Sequence, residues 1–415
     1  MTETTLSDDT AGRYRATSIA LFLCLFASQS ALIAMSPVLA EAAGDLDVST
    51  AIAGQLRTVT GLAAGVTALM LGAVVARVGL GRQLLAACAV LALASCASAA
   101  APTFDVLVLA QVPVGVAVAV LTSVGTLAAA EWVAPALRMR VLSWALVGQP
   151  AAWIVGMPLA GALGGHSWRY AWLALPLVAA VAAGILVASR AAEPPARSRP
   201  VRARVALRDR MLARWLASEL LANAAWAGTL VYAGALFAES YGTSAPLTGL
   251  LLAVAAVAYV AGNLACRRMP PREPRQLLVV LAILLAVTCG LFGTARTGIA
   301  TSTALLACAG FVAGGRTLVA SSFALAAPPE IRPAATSLRA ATMQFGYFVG
   351  SIAGGSALAA GGYAALGATM GVLLLGAAAA LALRPTSRRV VDVDPRGPAG
   401  PRSRAALPAL YRAQG

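Results

Sequence analysis

Along the 415 residues, polar positions fall in short clusters that separate long apolar runs. A helix needs roughly 20 apolar residues to cross a bilayer. Twelve runs reach that length: 17–39, 51–73, 83–101, 106–130, 142–163, 170–189, 214–237, 245–266, 276–295, 299–325, 335–359 and 363–383. The clusters between them alternate in charge. Arg13 and Arg15 precede the first run, Arg77 and Arg82 follow the second, and Arg138 and Arg140 follow the fourth. A basic stretch from Arg190 to Arg214 follows the sixth, Arg267, Arg268, Arg272 and Arg275 the eighth, and Arg332 the tenth. The intervening gaps hold Glu41, Asp45, Asp47, Asp105 and Glu239, with Arg169 and Arg296 as basic exceptions. Basic loops stay on the cytoplasmic side, so both termini are expected there. The expected location is a bacterial-type plasma membrane.

Composition supports this pattern and changes one detail. The chain is 60% hydrophobic and 11% charged, whereas soluble domains carry roughly a quarter charged residues. All 31 basic residues are arginine, and the net charge is +15. That charge sits in the gaps between apolar runs, not on one face among aromatics, so no nucleic-acid partner is expected. The six cysteines lie mostly inside apolar runs without metal-ligand spacing and read as small buried hydrophobes. The polar start leads into the first span without a cleavage motif, so no signal peptide is expected.

The expected organisation is therefore a cytoplasmic tail (1–16), a six-helix bundle (17–190), a basic linker (191–213), a second six-helix bundle (214–383) and a disordered tail (384–415). An internal repeat ties the bundles together. The stretch Val141–Trp172 carries Gly148, Gly156 and Gly161 along an apolar helix, with Pro150 and Pro158 inside it. Such residues are tolerated in a bilayer, where small side chains let helices approach closely. A shift of 194 carries Pro135, Arg138, Gly156 and Gly161 onto Pro329, Arg332, Gly350 and Gly355. The second copy is Leu338–Gly362, and two related halves of parallel topology follow.

Twelve spans, a central basic loop and a repeat of six resemble the major facilitator superfamily, from about Thr17 to Leu383. Three local patterns carry the resemblance further. Gly72, Arg77, Gly79 and Arg82 look like the cytoplasmic loop signature between spans two and three, and recur weakly as Gly262, Arg267 and Arg272. Gly148, Gly156, Pro158 and Gly161 look like the antiporter motif of span five in the drug-efflux branch, with Trp168-Arg169 following. Arg316-Thr317 and Gln344-Phe345-Gly346-Tyr347 look like drug and sugar-efflux permeases. The resemblance implies an all-α integral membrane protein of twelve transmembrane helices in two bundles. It also implies a substrate cavity at the midplane between them. Ala76 stands where the loop signature carries an aspartate, and Gln111 where the fourth span carries an arginine linked to proton handling.

Charges within spans are costly, by roughly 2.5–3.5 kcal/mol each on insertion scales, and so are functional candidates. Arg316 lies deepest, and reads either as a contact for an anionic or carbonyl-bearing substrate or as a structural cap on backbone carbonyls. Arg57 either lines the cavity or snorkels outward, and Arg339 is expected to snorkel to the interface. Glu219 is the acid within a span and the candidate proton site. The alternative is an interfacial acid paired with Arg214 or another loop arginine. Trp215, Glu219, Asn223 and Trp226 share one helix face, with Trp215 read as an interfacial anchor. Glu131 is expected to pair with Arg77 or Arg138. The cavity is expected to be lined by Gln29, Gln55, Arg57, Gln111, Gln149, Trp153, Asn223, Trp226, Arg316, Gln344 and Tyr347. The glycine ridges Gly61/Gly65 and Gly346/Gly350/Gly354 read as helix contacts.

The function these features imply is export of a small organic molecule by alternating access, in exchange for protons. The alternative is a uniporter or importer without proton coupling. No nucleotide-binding loop is present, because that motif needs lysine, and no metal or cofactor is expected. One histidine and no useful acid pair argue against a membrane enzyme. The expected partners are the substrate, protons and the bilayer, and the expected state is monomeric.

Overall fold

Among the described residues, 8–75, 78–133, 137–189, 209–268, 273–327 and 332–382, twelve long helices make up the structure, a computed structural model. They are α1 (Asp8–Ile33), α2 (Leu56–Val75), α3 (Leu80–Ala100), α4 (Phe104–Glu131), α5 (138–164), α6 (Ala174–Ser189), α7 (Arg210–Tyr241), α8 (Ala245–Arg267), α9 (Pro274–Thr294), α10 (Ile299–Leu325), α11 (332–360) and α12 (363–382). Ten helical segments are long and apolar enough to cross a membrane. One of them is α11 and α12 together, interrupted where Gly361 and Gly362 leave helical geometry. Leu56–Val75, with 20 residues, completes the twelve. Gly362 has φ +65°, a conformation that a β-carbon disfavours, and it turns the chain between the two helices. Among the described residues there is no strand.

Three spans depart from simple rods. The apolar run of the first span does not end with α1. It continues through a short 3-10 turn, Ser36–Val38, into a helix at Leu39–Asp45. Ala34 N–H still donates to Ser30 O at 2.9 Å, and the carbonyls beyond it in the last turn of α1 are left without intrahelical donors. Arg57 Nη1 donates to one of them, Ala31 O, at 3.0 Å. The second span starts with a separate turn, Thr50–Ala53, ahead of α2. α5 is built from Arg138–Ala151, a π-turn at Ala152–Gly156 and Met157–Gly164. Pro158 has no N–H and cannot close the regular bond to Ile154, and the wider turn accommodates it.

Polar side chains fix the first half internally. Gln111 of α4 accepts from Thr60 of α2 at 3.1 Å and donates to Ser98 of α3 at 3.2 Å. The side where α1 starts and α12 stops is the chain-end side. On the opposite side, Asp45 accepts from the Trp168 indole at 2.8 Å and pairs with Arg169 at 3.1 Å. The Arg169 guanidinium also lies 4.4 Å from the Trp168 ring centre and donates to Ala101 O at 2.5 Å. The Trp-Arg pair after span five thus clamps three loops of one half.

The basic linker falls mostly on residues 190–208, and the carboxy-terminal tail on 383–415, outside the described residues. α7 begins at Arg210, with the Asp209 carboxylate capping the amides of Met211 and Leu212, four residues before the expected start. Cys24, Cys88 and Cys289 are buried as expected, whereas Cys96 and Cys308 are exposed.

Among the described residues, two of the contacts between the halves are helix-helix seams built on glycine. Gly61 of α2 lies against the backbone of Gln344 and Phe348 in α11, and Gly65 lies against the Phe345 ring. Gly161 of α5 faces the carbonyl of Ala245 in α8, while Gly249 of α8 faces the carbonyl of Met157. Gly355, the repeat partner of Gly161, abuts Ala51 and Gln55 at the start of the second span. The duplicated glycine therefore stands at a contact between halves in both copies.

Candidate functional site

A cavity of about 300 Å³ lies between the halves. Its wall includes residues near the chain-end side of their helices, such as Thr126 of α4, Leu146 of α5 and Thr336 of α11. On the far side the halves are held together. Gln55 Nε2 donates to Ser351 O at 3.0 Å. The Tyr232 hydroxyl lies 3.1 Å from Ser351 O and 3.3 Å from Ala51 O. Thr50 bonds Glu239, which also accepts from the Tyr363 hydroxyl at 2.8 Å. The molecule is thus closed at the far side, with its cavity toward the side where α1 starts and α12 stops. Tyr232→Phe removes the hydroxyl and is expected to weaken far-side closure by about 0.5–1.5 kcal/mol. Cavity accessibility from the chain-end side, measured by cysteine labelling, should fall a few-fold in that variant.

Seven of the eleven residues expected in the cavity line it: Gln29, Gln149, Trp153, Asn223, Trp226, Gln344 and Tyr347. They come from α1, α5, α7 and α11, so both halves contribute. Trp153 is aimed by the π-turn and meets Tyr259 of α8 with ring centres 5.3 Å apart. Four expected residues stand elsewhere. Gln55 belongs to the far-side closure. Arg57 is buried at 4% exposure and caps the broken end of α1, so it neither lines the cavity nor snorkels. Gln111 is consumed by its bonds among α2, α3 and α4. Gln111→Leu is expected to lower stability by about 1–3 kcal/mol, read in thermal unfolding, without changing substrate affinity. Arg316 lies behind the wall, bound to Glu219.

That last contact is part of an ionic triad that the sequence did not assemble. Glu219 Oε1 meets Arg316 Nη2 at 2.7 Å, and Oε2 meets Arg339 Nε at 3.3 Å. Arg316 also reaches the Ser218 carbonyl and hydroxyl, and Arg339 Nη2 donates to Thr317 O at 3.3 Å. Glu219 is 1% exposed and Arg316 is 4% exposed. The partners of Glu219 are thus intramembrane arginines of α10 and α11, not Arg214. Arg339 turns inward and lines the cavity instead of snorkelling. Trp215 is fully buried and stacks on Phe323, ring centres 5.2 Å apart, rather than anchoring at an interface. The α7 stripe accordingly divides, with Trp215 and Glu219 in the bundle interior and Asn223 and Trp226 at the cavity.

The gating candidates are distributed along the seams and loops. Gly148 packs on the α1 backbone at Phe22 and Phe26, Gly156 on Ser30, and Gly161 and Pro158 on α8. Gly72 lies in α2, Gly79 caps α3 and Arg82 lies in its first turn. Arg77 and Ala76 lie outside the described residues. Glu131 ends α4, and no ion pair joins it to Arg138, which starts α5.

The family model of the Major Facilitator Superfamily matches residues 18–323. No curated protein matches the chain by sequence. Among solved structures, the chain is similar to a bacterial homologue of the human lysosomal transporter Spinster in an inward-facing, unoccupied conformation. The identity is 14%, the match covers 91% of this chain and 96% of that one, and the TM-score is 0.72. A human organic anion transporter aligns at 17% identity over 89% of this chain and 99% of its own, with TM-score 0.67. A D-xylose–proton symporter aligns at 16% identity over 89% and 96%, with TM-score 0.68. At these identities the shared property is the fold.

Proposed function

Because this chain belongs to the Major Facilitator Superfamily and is a multi-pass membrane transporter, we propose that it exports a small organic molecule by alternating access, in exchange for protons. The observation that carries this reading is the cavity between the halves, closed on the far side by Gln55, Tyr232 and Glu239. In this reading the six-helix halves rock about the two glycine seams, and the chain-end side is cytoplasmic, as the arginine-rich loops imply. The span-five motif supports export, since its Gly161 and Pro158 lie at one seam.

Glu219 is the proton site of this scheme. Its carboxylate holds Arg316 of α10 and Arg339 of α11 to α7. A proton on it removes the one negative charge of the triad and leaves two guanidinium groups facing each other. Loading thereby loosens the three helices that wall one side of the cavity. The same triad favours a second reading, in which proton and substrate travel in one direction. Neutralising Glu219 frees Arg339 for an acidic substrate.

Inverted vesicles separate these readings. Accumulation driven by an acid interior identifies proton exchange, the expected result. Accumulation driven by an acid exterior identifies cotransport, and indifference to either gradient identifies a uniporter.

A further inference from the structure

The cavity has an imbalance of charge and of hydrogen-bonding groups. The triad beside it sets two guanidinium groups against one carboxylate, an excess of one positive charge. Arg339 presents that excess to the cavity, and its Nη1 takes part in neither of its described bonds. No carboxylate is among the described lining residues. An uncompensated charge in a membrane interior is unfavourable, and an anion in the cavity relieves it.

Hydrogen-bond donors point the same way. The indole Nε1 atoms of Trp153 and Trp226 and the Nδ2 of Asn223 are buried without a partner. All three residues line the cavity. The corresponding orphan acceptor is Gln344 Oε1 alone among the described lining side chains. A buried donor without an acceptor is unfavourable, so three orphan donors against one acceptor suit a ligand rich in oxygen lone pairs. Two indoles with Tyr259 and Tyr347 supply flat apolar surface around them. The volume, about 300 Å³, lies at the small end of ligand sites.

Resting on the transporter reading of this cavity, we propose that its ligands are small aromatic organic anions. The acidic group is held by Arg339 and the Asn223 and indole N–H donors, and the ring lies against Trp153 and Trp226. This assignment holds for either direction of proton movement.

The test is calorimetric titration of the full chain in lipid nanodiscs with benzoate, naphthoate and indole acetate, each against its neutral amide. The carboxylates should bind roughly tenfold or more tightly than the amides, as expected for charge-assisted hydrogen bonds. Asn223→Asp keeps the shape of the side chain, leaves the triad intact and places a negative charge in the cavity. It should weaken carboxylate binding by roughly tenfold more than it weakens amide binding, because only the carboxylate meets the added charge as a like charge. Arg339→Gln should abolish the preference for the charged form. Equal binding of amide and carboxylate overturns anion selection while leaving the cavity as the substrate site. Carboxylate binding that ignores Asn223→Asp places the anion elsewhere and overturns the assignment. Absence of binding by all six compounds overturns the ligand class and leaves the transporter reading, tested by the vesicle gradients, untouched.

Discussion

Glu219→Gln is expected to abolish proton-linked transport and to lower the stability of the protein by about 3–5 kcal/mol. The loss is large because Glu219 is the shared anion of two arginines in a low-dielectric setting. Its removal leaves two like charges uncompensated. A measured loss of activity in this variant alone would confound chemistry with folding. The double variant Glu219→Gln/Arg316→Gln separates them, because it removes one charge of each sign and restores the original net charge. Thermal unfolding of the double variant should recover most of the lost stability, while transport stays insensitive to the pH gradient. Gradient-driven transport in the double variant would remove Glu219 from the coupling scheme and leave it a structural ion.

Gly161→Leu should produce the next largest effect, without touching cavity or triad. A β-carbon at this position meets the Ala245 carbonyl across the seam between α5 and α8. The collision involves backbone, which cannot rotate away as a side-chain tip can. Overpacking of this kind costs about 1–3 kcal/mol, and it falls on the far-side-closed state described here. The balance between conformations should shift by roughly 5- to 150-fold toward the opposite state. Cysteine labelling at position 149, in the cavity wall, should slow from the chain-end side, and turnover should fall with it. Unaltered labelling would mean that this seam does not separate during the cycle.

The contrast between these two positions explains what the sequence could reveal. Span number and the pairing of halves were legible because the bilayer imposes length and apolarity on every crossing, and because Gly161 and Gly355 repeat at a fixed offset. Gln29, Gln149, Trp153, Asn223, Trp226, Gln344 and Tyr347 were legible as cavity residues for a related reason: a polar or amphipathic group at mid-span must face away from lipid. That rule does not say which interior it faces. Gln111 and Arg57 obey it equally, yet one ties α2, α3 and α4 together and the other caps the end of α1. The triad escaped because its members lie far apart in the chain. Arg339, only a few residues into its helix, carries the periodicity and depth of a snorkelling side chain. Only the approach of α7, α10 and α11 makes Glu219 its partner. Mid-span polarity combined with opposite charge at matching depth in α7 and α10 was the available signal, and it pointed to Arg316.

The π-turn at Ala152–Gly156 has a mechanical consequence. It places Trp153, in the cavity wall, eight residues from Gly161 at the seam, which is about 12 Å along a helix axis. A ligand that pushes the indole aside acts on one end of a stiff strut whose other end rests on α8. Trp153 sits within the wider turn itself, and the α-helical segment Met157–Gly164 carries Gly161 beyond it. Widening or tightening that turn by one residue rotates everything beyond by roughly 100° about the helix axis. Occupancy at Trp153 can therefore be transmitted as torque to the place where the two halves touch.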